Sequence, residues 1–188
     1  PQNNASIVGI FQDSMLGSAR FTRENINFDV RQAMNLLMYY DNVNPTLFKD
    51  HTKKISSFEI LSQILPPLST RMKNGVYGEG TDEEDNKTSN NIIEIVNGKY
   101  IRGQLDKGAL GKGSKGLLQT IFNDFNHTES ANFIDNLQSI VTEYMKLSSY
   151  SVGISDLIAD PETNKKITSA VNVKKKDVEN LIDQLHLG

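Results

Sequence analysis

Apolar positions in this chain fall into short periodic stretches whose spacing changes from one stretch to the next. Ile7 to Phe11 is a brief apolar run that then loses its alternation, which predicts a strand leading into a helical turn. From Asn27, a residue type that caps helices, Val30, Ala33, Met34, Leu37 and Met38 recur at helical spacing, and Asn-Val-Asn-Pro-Thr ends the pattern. Ser56 and Glu59 have the spacing of a capping box, opening a short helix with Phe58, Leu61, Ile64 and Leu65. Pro66-Pro67 stops it, because the residue before a proline is pushed out of the helical region.

Residues 73–91 are polar, acidic and almost free of large apolar groups, which predicts a mobile surface loop. The four acids Asp82 to Asp85 raise a metal cluster as an alternative, and the solvated loop is the preferred reading. Two β-rich runs, Ile92–Val96 and Lys99–Leu105, flank Asn97-Gly98, the pair that tolerates positive φ in a type I′ hairpin. Ser114 is placed to cap a following helix with Leu117, Leu118, Ile121 and Phe122 on its buried face. Thr128 opens a longer helix striped with Ile134, Leu137, Ile140, Val141, Tyr144 and Met145, broken at Ser-Ser-Tyr-Ser-Val-Gly. Asp160-Pro161-Glu162 combines a cap, a first-turn proline and an acid at the positive helix end. The stripe Ile167, Ala170, Val171, Val178, Leu181, Ile182 and Leu185 makes that helix long and in need of a partner helix. No internal repeat is present, and the order of elements predicts an α+β fold: a hairpin and short strands packed with several helices, then a long C-terminal helix.

At 188 residues the chain is long enough for a buried core, as one domain or a domain with part of another. Its mean hydropathy of −0.42 fits a globular piece. A net charge of −3 gives no global basic field, so any nucleic-acid contact has to be local. Without cysteine there are no disulfides or thiolate metal ligands. No apolar run approaches the ~20 residues of a membrane span, and no membrane partner is expected. A chain that opens on Pro1 is expected to be either processed behind an initiator Met or part of a longer polypeptide.

Candidate chemistry concentrates in Gly103–Leu118, which holds five glycines and three lysines. A phosphate-binding P-loop requires Lys then Ser or Thr after its last glycine. Here Gly113 is followed by Ser114 and Lys115, which moves the ammonium off the phosphate position. Gly111, Gly113 and Gly116 match a dinucleotide fingerprint in spacing but follow a hairpin rather than the first strand of a βαβ unit. A stand-alone phosphate- or nucleotide-binding domain built on residues 103–116 therefore remains the alternative reading, with a helical interaction module as a third. For Lys112 a solvated side chain is expected.

Three ordered motifs carry a resemblance. Pro1, Gln2, Gly9, Gln12, Asp13 and Gly17 fall in the places of one; Gly103, Asp106, Lys107, Leu110 and Gly111 in a second; Tyr150, Ser151, Gly153, Ile154 and Asp156 in a third. Together they resemble the largest subunit of multisubunit DNA-directed RNA polymerases, and the wording Asp-Lys-Gly-Ala-Leu-Gly looks closest to the RNA polymerase III type and to enzymes of large DNA viruses. Ser155 stands where a glycine is usual, Gly108 where some relatives carry a second lysine, and the acidic loop has no counterpart in the motifs.

The resemblance implies that residues 1–148 are the pore domain and 149–188 the start of the funnel domain. It implies a role in forming the secondary channel, through which nucleoside triphosphates enter and the RNA 3′ end extrudes during backtracking. Substrate-channel residues would then be Gln12, Asp13, Asp106, Lys107, Gly108 and Gly111, although Gln12 and Asp13 read locally as a hydrogen-bond pair anchoring the first turn. Lys165, Lys166 and Lys174 would dock a transcript-cleavage factor, with a solvated face as the plainer reading. No catalytic or metal-binding residue is implied in this segment. The magnesium of the full nucleotidyltransferase would be held by aspartates preceding Pro1, leaving the segment alone inactive. Implied partners are the remaining subunits, especially the second-largest, together with DNA template, RNA transcript and nucleotides in transit. The implied location is the nucleus for a cellular eukaryotic enzyme, or host cytoplasm or virion for a viral one.

Overall fold

The 22-residue helix α6 (His127–Ser148) is the centre of the core, burying Phe133, Leu137, Ile140, Val141 and Tyr144 along one face. The computed structural model containing it describes residues 6–77 and 86–187. The acidic cluster 82–85 lies outside the described residues. The chain divides into two compact units, Pro1–Ser149 and Tyr150–Gly188.

In the first unit, helices α1 (Gln12–Phe21), α2 (Val30–Leu36), α3 (Ser57–Ile64) and α5 (Leu117–Asp124) all touch α6. Phe21, Phe28 and Tyr144 form an aromatic trio with centroids 5.1–6.0 Å apart, two of its three pairs edge-to-face, the geometry favoured by ring quadrupoles. Two short strands, β1 (Asn27–Phe28) and β2 (Ile55–Ser56), pair antiparallel. A second antiparallel sheet has the order β3 (Thr70–Lys73), β4 (Ile92–Val96), β5 (Lys99–Arg102). Asn97 and Gly98 have φ of 47° and 74°, so the predicted turn forms. A one-turn helix, α4 (Lys107–Leu110), follows β5, and α3 packs on β5 with Phe58 against Tyr100.

The α+β class and the hairpin are as predicted, and Ser56 and Glu59 close their capping box. Several local expectations are corrected. Residues 7–11 are not a strand, because Ile10 is buried and spends its N–H on the Leu110 carbonyl at 2.8 Å. Asp29, not Asn27, caps α2: Asp29 and Gln32 form the reciprocal box while Asn27 is paired in β1. Val30, Ala33 and Leu37 are buried as expected, with Leu36 beside them, whereas Met34 and Met38 are exposed.

Gly116 rather than Ser114 precedes α5, since a Cβ there would press within 2.9 Å of the Ala109 carbonyl. Phe122 is half exposed and lines an open groove of about 540 Å³ with Ile7, Val8, Leu118 and Ile134. Asn126, not Thr128, caps α6. The expected surface loop is also partly interior. Asn74, Ser89 and Asn91 are buried, and Arg102 donates to the Asn86 carbonyl while pairing with Glu94 at 2.7 Å. Polar composition signalled exposure, but the Asn74, Ser89 and Arg102 side chains bond backbone groups of this segment and of Gln104.

In the second unit, α7 (Pro161–Leu187) starts where expected, with Asp160 Oδ1 accepting from the N–H groups of Glu162 and Thr163 at 2.9 Å. Its apolar stripe is exposed.

Candidate functional site

The glycine-rich segment is clamped at four consecutive residues, Gly103 to Asp106, before its lysines emerge. At Gly103 φ is +99°, and a Cβ would collide with the Ile92 carbonyl, so only glycine serves there. The Tyr100 hydroxyl donates to its carbonyl at 2.9 Å. Burial, then the Asp106 carboxylate, pushes that phenol up, keeping it a donor. Gln104 is bonded through all its polar groups. Its N–H donates to the Asn90 carbonyl, its carbonyl accepts from Asn74 Nδ2, its Nε2 donates to the Ala19 carbonyl, and its Oε1 accepts from the Tyr77 hydroxyl. Leu105 N–H donates to Thr22 Oγ1 at 2.9 Å. Asp106 is 6 % exposed; Oδ1 accepts from Ala109 N–H at 2.9 Å and Oδ2 from Gly75 N–H at 2.7 Å.

Beyond Asp106 the cations emerge. Lys107, Lys112 and Lys115 are all exposed, and none forms an ion pair with another described residue. Lys112 is more than solvated: its Nζ stands 5.6 Å from the centroid of the Phe11 ring, a cation–π distance. Gly108 is exposed beside the Asp106 carboxylate, and Gly111 is buried with its N–H on the Lys107 carbonyl. The Ile10–Leu110 hydrogen bond holds the segment before α1 against this turn. Gln12 and Asp13 sit at the start of α1, both exposed, Gln12 at φ 51°. Neither side chain bonds to another described residue, so the anchoring pair considered for them does not form.

A phosphate cradle needs free backbone donors, and here the N–H groups of Ala109, Leu110, Gly111 and Gly116 are bonded within the loop. Those four amides are not available to an anion, whereas the exposed lysine side chains are. The described residues do not fit a magnesium site either. Asp106 is consumed by two amides, and among them no group of three His, Cys, Asp or Glu converges. On α7, Lys165, Lys166 and Lys174 are exposed, Lys166 pairing with Glu162 at 2.7 Å and Lys174 with Asp177 at 3.2 Å. Gln104, Thr22, Asn74 and Tyr77 carry no motif of their own. The alternation Arg102, Gln104, Asp106 is the one signal that could have marked a buried polar row.

Residues 1–157 match the family described as RNA polymerase Rpb1, domain 3. The chain belongs to that family. Over 184 residues, 96 % of this chain, it is 24 % identical to the DNA-directed RNA polymerase II subunit RPB1-B of Trypanosoma brucei brucei. It spans 10 % of that relative's length. Within the Rpb1 domain 3 match lie Gln12, Asp13 and the whole glycine-rich segment, whereas Lys165, Lys166 and Lys174 fall beyond it.

Proposed function

We propose that this Rpb1 domain 3 chain lines the secondary channel of a DNA-directed RNA polymerase, the route by which nucleoside triphosphates enter and a backtracked RNA 3′ end leaves. One observation carries the reading: Lys107 is exposed with no ion pair to another described residue, while the acid beside it in sequence is turned inward onto two backbone amides. An exposed ammonium lowers the local barrier for a polyphosphate, and a loop that spends four of its amides on its own turn offers fewer donors to trap it. That combination suits a conduit and not a pocket. Nucleotidyl transfer belongs to the assembled enzyme, whose other subunits, foremost the second-largest, template DNA and RNA are the partners. The eukaryotic relative favours a nuclear enzyme, and a viral one would act in host cytoplasm or virion.

Lys107→Ala in the assembled polymerase is expected to raise the apparent KM for nucleoside triphosphates about fivefold, the factor for roughly 1 kcal/mol between unit charges 4 Å apart in water. Cleavage of backtracked transcript is the companion assay, and unchanged values in both would remove the proposal. On the same reading the lysines of α7 dock a transcript-cleavage factor. Reversing Lys165 and Lys166 to Glu should then weaken factor-stimulated cleavage while leaving elongation intact.

A further inference from the structure

The geometry points to Asp106 as a positioning residue that acts through Lys107, and this inference rests on the channel reading above. Two neighbouring residues of opposite charge on an exposed loop would ordinarily meet each other and water. Here the carboxylate is buried and both oxygens are used, Oδ1 by Ala109 N–H and Oδ2 by Gly75 N–H. The first bond caps the one-turn helix Lys107–Leu110, which is too short to hold itself, since a single turn fixes several dihedrals for one hydrogen bond. The second bond reaches across to Gly75, just past the end of β3, and so ties that turn to the three-stranded sheet.

The surroundings reinforce the tie. Gln104 links the same strand exit to α1 through Ala19, and Asn74 donates to the Gln104 carbonyl. Asp106 thereby sets where the α4 turn begins and which way its first residue points. Lys107 is that first residue, and its ammonium is directed to solvent because its neighbouring acid is occupied elsewhere. A turn released from these two bonds would no longer hold Lys107 at the place from which its charge is offered to a passing phosphate.

The test is a double-mutant cycle in the assembled polymerase with Asp106→Asn, Lys107→Ala and both together, reading KM, kcat and thermal midpoint. Asparagine keeps one acceptor oxygen and loses the other, so the loop is loosened without an empty site. Asp106→Asn alone should raise the apparent KM for nucleoside triphosphates roughly threefold with kcat unchanged, and add nothing further in the Lys107→Ala background. Its lowered thermal midpoint should persist in both backgrounds, which separates the stabilising role from the positioning one. If Lys107→Ala raises KM but Asp106→Asn leaves it unchanged, or raises it equally in both backgrounds, this inference is overturned and the channel reading stands. If Lys107→Ala by itself changes nothing, both fall. Should Asp106→Asn not assemble, Asp106→Glu, which keeps both oxygens on a longer arm, reads the same cycle with the same criteria.

Discussion

Gly17 has no room for a Cβ: one built there would collide with Val141 and come within 2.9 Å of Met145 Cγ. Helices α1 and α6 therefore approach each other through this residue. Gly17→Ala is expected to destabilise the fold by about 1–3 kcal/mol, the range for overpacking a filled core, read as a lowered denaturation midpoint. That Gly17 belongs to a motif was legible in the sequence; that it marks a helix crossing was not, since its partner lies more than a hundred positions away. Asp106 makes the same point for a polar residue. The resemblance implied a place in a channel for it, and the position of Gly75 decides that the carboxylate turns inward.

Local chemistry governs the elements. Ser56 and Glu59 close the box at the start of α3, and Lys53 reaches the same carboxylate at 2.6 Å. Partial burial raises the Glu59 pKa, but hydrogen bonds from Lys53 and Ser56 with the Lys53 charge outweigh it and hold the carboxyl below its ordinary value. A lowered folded-state pKa means the contribution is complete above the ordinary carboxylate pKa and is lost as pH falls through the folded value. Thermal midpoints measured from about pH 6 down to 3 should show an acid-side decline that Glu59→Gln makes shallower. Where two capping residues compete within a few positions, the sequence is ambiguous. Asn27 and Asp29 are both good caps, and Asp29 takes the role because Asn27 is committed to pairing with Ser56 in the small sheet. Ser114 loses to Gly116 for a comparable reason, the close approach of the Ala109 carbonyl.

At the scale of the molecule, the charge that matters is local, since the net charge is −3 while the glycine-rich turn presents three exposed lysines. An exposed charge is screened over a Debye length of about 10 Å at 0.1 M salt, so the KM penalty of Lys107→Ala should shrink as ionic strength rises. A penalty independent of salt would point to altered loop structure instead of lost attraction. Periodicity, capping pairs and the Asn-Gly turn were enough to specify the α+β class, the hairpin and the two long helices, because each depends on residues a few positions apart. The ordered glycine, glutamine and aspartate motifs were enough for the family. What folding alone decided is how distant segments share their polar groups. Ile10 meets Leu110, Ala19 meets Gln104, and Gly75 meets Asp106, so that one acid is buried and one lysine is left facing solvent. Those bonds join residues far apart in the chain, and no local pattern encodes which backbone amide will be within reach of which carboxylate.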